Sequence, residues 1–160
     1  LAADVRFTTP DARWSVLEAR WGLVPDMSGI RTLTEHVRPD VAKRLTMTGE
    51  EVDGTRAVEI GLATQVASDP GAAAQELVEA LRTRSPDAVA ATKRLFTASP
   101  GASARSTLAR ERREQSVLLV SANTAAARRA ALDRSGPAYG PRQGLSGVLR
   151  SAARRRRGGS

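Results

Sequence analysis

At 160 residues and 41% apolar side chains, the chain can form one domain with a sizeable core, but with only 3% aromatics Ala, Leu and Val must do most of the packing. The absence of cysteine excludes disulfides and thiolate metal sites and suits a reducing compartment. No apolar run approaches the roughly 20 residues of a membrane span, and no signal-peptide pattern opens the chain. The net charge of +8 points to nucleic acid until it is located: six arginines and no acids lie in residues 141–160, which leaves +2 for the rest.

In chain order, Asp4 to Thr9 alternates polar and apolar residues around Val5 and Phe7, as a half-buried strand does. Thr9-Pro10-Asp11-Ala12 reads as a turn. Pro25 disfavours helical geometry at Val24, so a loop follows, and Asp26 and Ser28 stand where short polar side chains cap a helix from Ile30 to Val37. Pro39 starts the next helix, with Val41 and Leu45 on one face and Gly49 as its stop. Asp53 is placed to cap a short helix through Ile60, closed by Gly61 before a strand-like Leu62 to Val66.

After the loop Ser68 to Gly71, the stripe Ala73, Leu77, Ala80 and Leu81 predicts a helix. Ser85-Pro86-Asp87 marks another, running to Phe96 with Val89 and Phe96 inward. Ser103 to Arg134 is helical in composition, with Asn123-Thr124 as the expected junction. Residues 140–160, ending in four arginines and Gly-Gly-Ser, read as a disordered basic tail.

Chemistry concentrates between Trp14 and Gly29, where two acids, Glu18 and Asp26, lie eight positions apart. A carboxylate flanked by Trp14, Leu17 and Trp21 risks losing solvation, the condition under which an acid becomes a useful proton carrier. The plainer reading leaves Glu18 solvated on an amphipathic turn and Asp26 as a helix cap.

The order of these residues resembles a known family. Ala2 to Phe7, Pro10 to Glu18 and Trp21-Gly22-Leu23-Val24-Pro25 are similar to the central signature of the enoyl-CoA hydratase/isomerase (crotonase) superfamily. Leu45 to Asp53, then Ala57, Glu59 to Leu62 and Val66, resemble its next block, and Ser85-Pro86 with Ala91-Thr92-Lys93 its following helix. The resemblance covers about the first hundred residues and, more loosely, those up to Tyr139. It implies a crotonase-like α/β fold: residues 1–67 as the last part of the spiral core, 68–139 as a helical, oligomerising region, and 140–160 as the tail. With Leu1 opening inside the signature, the chain reads as the C-terminal portion of a longer protein, its oxyanion-hole half and a first glutamate falling upstream.

What the resemblance implies is acid/base chemistry on an acyl-CoA thioester in fatty acid metabolism. Coenzyme A is then part of the substrate, and no cofactor is permanently bound. Glu18 matches the second glutamate of hydratases. Asp26, eight residues later, resembles the second acid of dienoyl-CoA isomerases, so that the two would face each other across an acyl pocket walled by Trp14, Leu17, Trp21 and Pro25. The family also implies a homotrimer or dimer of trimers, with Leu108 and Val117 to Val120 as interface candidates, and a cytoplasmic location. Neither a membrane nor nucleic acid is an expected partner.

Two other classes compete. One is a non-catalytic fragment that keeps the fold as a structural or oligomerisation piece; the other is a basic nucleic-acid-binding domain, supported only by the tail. His36, the one histidine, has no nucleophile-elbow serine to serve and is read as a surface residue at a helix end. One histidine and no cysteine argue against a transition-metal site.

Overall fold

The computed structural model describes residues 1–144 and 147–148 and divides into two compact units, residues 1–76 and 77 onward. The first unit holds the strands. β1 (Phe7–Thr8) pairs in parallel with β4 (Gln65–Val66), Phe7 opposite Gln65 and Thr8 opposite Val66. β2 (Trp14–Ser15) pairs antiparallel with β3 (Glu51–Val52), Trp14 opposite Val52. The strand expected over Asp4–Thr9 is thus only two residues long. Its approach is held instead by Arg6, whose Nε donates to the Leu62 carbonyl at 2.6 Å.

Between the strands lie α1 (Gly29–His36), α2 (Pro39–Thr48) and α3 (Gly54–Glu59). Leu33, Val37, Ala42, Leu45, Ala57, Leu62 and Ala63 form the core, and Trp14, Val16, Val41 and Val52 pack against it. The expected signals operate here. Pro39 occupies the first turn of α2, Gly49 ends it at φ 60°, and Asp53 caps α3 by accepting from the Arg56 amide at 2.7 Å.

The entry to α1 differs from expectation. Ser28 is the N-cap, but at φ 68° it is left-handed, and its side chain makes no cap bond. A capping side chain needs an extended N-cap to reach back to the first-turn amides, and the left-handed backbone turns it away. Asp26 does not cap with its carboxylate either; its backbone carbonyl accepts from the Gly29 amide at 2.8 Å.

α4 (Pro70–Arg82) takes Pro70 into its first turn and crosses the boundary between the units with no fully buried residue. The second unit packs α5 (Pro86–Ala98), α6 (Ala104–Leu119) and α7 (Ala122–Leu132), capped by Ser85, Ser103 and Ser121. Ser121, whose Oγ accepts from the Thr124 amide at 3.1 Å, sets the α6–α7 junction ahead of the expected Asn123-Thr124. Asn123 and Asp87 are buried together, with the Asn123 Nδ2 donating to the Asp87 carboxylate at 3.0 Å. α5 buries Asp87 and Ala91, and Phe96, expected inward, is 76% exposed. It lies about 140° around the helix from Ala91, off the stripe that faces α6 and α7.

Arg94 and Glu114 join α5 to α6 by two bonds, at 2.9 and 2.7 Å, and the guanidinium holds the Glu114 carboxyl below its ordinary range. A depressed carboxylate stabilises the fold above its ordinary pKa of about 4 and loses that contribution as the pH falls through the lowered value. Glu114→Gln should therefore be less stable than the parent at neutral pH and converge with it under acid, as followed by helical circular dichroism. Because Arg94 is 55% exposed, the gap at neutral pH should be below about 1 kcal/mol.

The segment after α7 is tied in at its start, with the Gly140 amide donating to Asn123 and the Gln143 amide to Asp87. Val148 is buried as well, so the disorder expected from residue 140 does not hold for this first part, which packs on buried polar groups. Residues 145–146 and those from 149 lie outside the described residues. Among the described residues no helix is long and apolar enough to cross a membrane.

Candidate active site

The segment that carries the two acids is anchored at its start by β2. The Trp14 indole N–H donates to Thr8 Oγ1 at 2.9 Å while its ring packs against the core. The chain then forms a single 3₁₀ helix, Glu18–Trp21, ended by Gly22 at φ 69°. The Leu23 amide returns to the Glu18 carbonyl at 3.0 Å, so the turn closes onto the backbone of Glu18. Its side chain is half-buried and has no hydrogen-bond or ion-pair partner among the described residues.

Beyond Val24 the chain turns around Pro25, which is buried. A Cβ at Gly29 would lie 2.9 Å from the Pro25 ring, so the start of α1 closes directly onto this proline. Between them Met27 (φ 48°) and Ser28 (φ 68°) are consecutive left-handed residues without being glycine, a conformation that costs about 1–2 kcal/mol each. Asp26, just ahead, is exposed and its carboxylate is likewise unpartnered. Both acids therefore sit on one loop with their carboxylates uncommitted.

The four residues expected to wall a pocket separate into two pairs. Trp14 and Pro25 are packed inward, whereas Leu17 is 38% and Trp21 78% exposed. The exposed pair, with Leu23, Val24 and Met27, makes the surface of the acid-bearing loop apolar. His36 is exposed in the last turn of α1, as expected. Among the described residues no group of three His, Asp or Glu side chains is arranged to hold a metal ion.

Sequence patterning did not reveal a cavity of about 360 Å³ in the second unit, where the charged groups of Asp87, Arg94 and Glu114 meet the apolar Val117, Leu118 and Val148. Gln143 Oε1 there is buried without a hydrogen-bond partner. Neither Glu18 nor Asp26 belongs to it. Ser85-Pro86-Asp87 signals a helix start, and only the return of residues 140–143 onto Asp87 shows that its carboxylate is buried.

Residues 1–136 match the family pattern for Enoyl-CoA hydratase/isomerase. Curated relatives include a carnitinyl-CoA dehydratase of Proteus mirabilis, 32% identical over 100 residues, which are 61% of this chain and 38% of that protein. A probable enoyl-CoA hydratase of Mycobacterium tuberculosis is 38% identical over 103 residues, 63% of this chain and 40% of that one. Among solved structures, a probable enoyl-CoA hydratase/isomerase from Mycobacterium abscessus superposes with a TM-score of 0.82 at 31% identity, covering 88% of this chain and 58% of that chain. An enoyl-CoA hydratase from Mycobacterium tuberculosis gives 0.80 at 31% identity, covering 88% and 56%. The chain thus spans about two fifths of these curated relatives and little more than half of the solved chains. With a crotonase-like α/β fold and a family pattern that runs through both units, the chain belongs to the enoyl-CoA hydratase/isomerase family.

Proposed function

We propose that the protein acts on an enoyl-CoA thioester and that Glu18 is the group that moves the proton. One observation supports this above the others. Glu18 is a half-buried carboxylate on a closed 3₁₀ turn, beside an exposed apolar loop surface, with its oxygens committed to nothing else. A structural acid in such a place is normally paired, and an unpaired one is free to hold a proton for a substrate carbon or to draw one from water. The apolar flank of Trp21, Leu23 and Val24 suits an acyl chain lying along the loop. Hydration of crotonyl-CoA by the native protein, with and without Glu18→Gln, is the test. Turnover unaffected by the substitution would sink the role.

A second reading has its own support. Asp26 would be explained as a helix cap if its carboxylate bonded α1 amides, and it does not. That leaves it available as a second proton carrier, as in the isomerisation of a dienoyl-CoA, where one acid is protonated while the other is charged. Asp26→Asn should then abolish dienoyl-CoA isomerisation and spare hydration of a simple enoyl-CoA. Equal activity of parent and variant on the diene returns the reaction to hydration alone. A cytoplasmic homo-oligomer, with exposed Leu108, Leu119 and Val120 turned toward other subunits, completes the proposal.

A further inference from the structure

The cation nearest to Glu18 in sequence is Arg20, on the same 3₁₀ helix, and its charge is spent elsewhere. The Arg20 Nη2 donates to the Gly49 carbonyl at 2.8 Å, and Nη1 lies 3.7 Å from Glu51 Oε1. Gly49 is the residue that ends α2, so the guanidinium sits where a helix C-terminus favours positive charge. The contact is also steric. A Cβ on Gly49 would meet the Arg20 stem at 3.1 Å from Cγ and 3.6 Å from Cδ, which leaves no free space between them. Glu51 lies on β3 opposite Ser15, and it also pairs with Arg13. Two arginines seven residues apart, one on each side of Glu18, therefore converge on one carboxylate.

We propose that Arg20 is a positioning residue: seated on the Gly49 carbonyl and drawn to Glu51, it fixes the Glu18 helix against the end of α2 and keeps its own charge from pairing with Glu18. This rests on the proton-carrying role of Glu18. The geometry at Glu51 alone would be weak, since exposed ion pairs contribute little. The carbonyl bond and the packed stem give the clasp its direction.

The native protein, Arg20→Met and Arg20→Lys are compared on crotonyl-CoA, and all three carry fluorotryptophan at Trp14 and Trp21. Arg20→Met should lower kcat about 10- to 100-fold with KM nearly unchanged, because the substrate site remains and only the acid is misplaced. Arg20→Lys should recover part of the loss, since one ammonium can still donate to the Gly49 carbonyl. The fluorine resonance of Trp21, on the same 3₁₀ helix, should narrow in Arg20→Met, and that of Trp14, held by Thr8, should not. A rise in KM at constant kcat, no recovery in Arg20→Lys, or an unmoved Trp21 resonance would each overturn the proposal. If the unmodified protein does not turn over crotonyl-CoA, the Glu18 reading fails, and the Trp21 resonance alone then decides whether the clasp exists. Should Arg20→Met unfold, seen as a change at Trp14 as well, Arg20→Lys decides: wild-type kcat with an unmoved Trp21 resonance overturns the proposal, and a reduced kcat with a narrowed resonance supports it.

Discussion

Glu18→Gln should lower turnover on an enoyl-CoA thioester by about 10²- to 10⁴-fold, the contribution a positioned general acid or base makes. The substitution is close to isosteric, and the Glu18 side chain holds no structural bond that glutamine would break. Thermal stability should stay within about 0.5 kcal/mol of the parent, as for a surface change that removes no cap, pair or core contact. The combination is what identifies a chemical role. Loss of rate together with loss of stability would mean that the carboxylate supports the loop instead. Because the backbone at Glu18 is fixed by the Leu23 amide, the glutamine should occupy the same place, and KM should change little. Steady-state kinetics with crotonyl-CoA and a melting curve on the same preparation decide between the two.

Gly54→Ala should be the most destabilising small substitution in the first unit. Gly54 opens α3, its amide donates to the Pro10 carbonyl at 3.0 Å, and a Cβ there would lie 1.8 Å from the Thr9 carbonyl oxygen. No side chain can be moved aside to relieve this clash, because the obstacle is backbone. The Thr9–Pro10 turn and the start of α3 must separate, which breaks the hydrogen bond between the Gly54 amide and the Pro10 carbonyl and loosens β1, directly ahead of the turn, from β4. A cost of about 3 kcal/mol or more is expected, at the upper end for overpacking. Both tryptophans, Trp14 and Trp21, lie in the first unit, so fluorescence during urea unfolding reports on it directly. An unchanged midpoint would mean that the turn yields without loss. Activity should fall with stability, since Trp14, two residues beyond this turn, anchors the Glu18 segment through Thr8.

The elements that were legible in the sequence are those whose signals are local. Pro39 and Gly49 bracket α2, Asp53 caps α3, and Ser85 caps α5, each through contacts within about four residues. Leu45 falls in the core where its periodicity placed it, and Ala57 and Leu62 lie there where the family block ran. The loop carrying Glu18 and Asp26 was also visible, because Trp14, Gly22 and Pro25 punctuate it at fixed spacing. Where local signals were ambiguous, they misled. Ser28 has the right residue type and place for a cap, but the strained turn at Met27 and Ser28 withdraws it. Asn123-Thr124 has turn-forming side chains, yet it forms the first turn of α7, since Ser121 already supplies the cap.

By itself, then, the sequence determined the limits of α2 and the cap of α3, the family resemblance and the place of Glu18 in the chain, all of which follow from residue type over short distances. Only the tertiary structure decided which polar groups are buried and which charges are taken. Asp87 meets Asn123 across 36 residues and the Gln143 amide across 56, and Arg20 reaches Gly49 across 29. Such pairings depend on how distant segments close on one another, and no periodicity along the chain encodes them. The same closure leaves Glu18 unpaired beside Arg20, because the arginine finds a carbonyl and an acid on other elements.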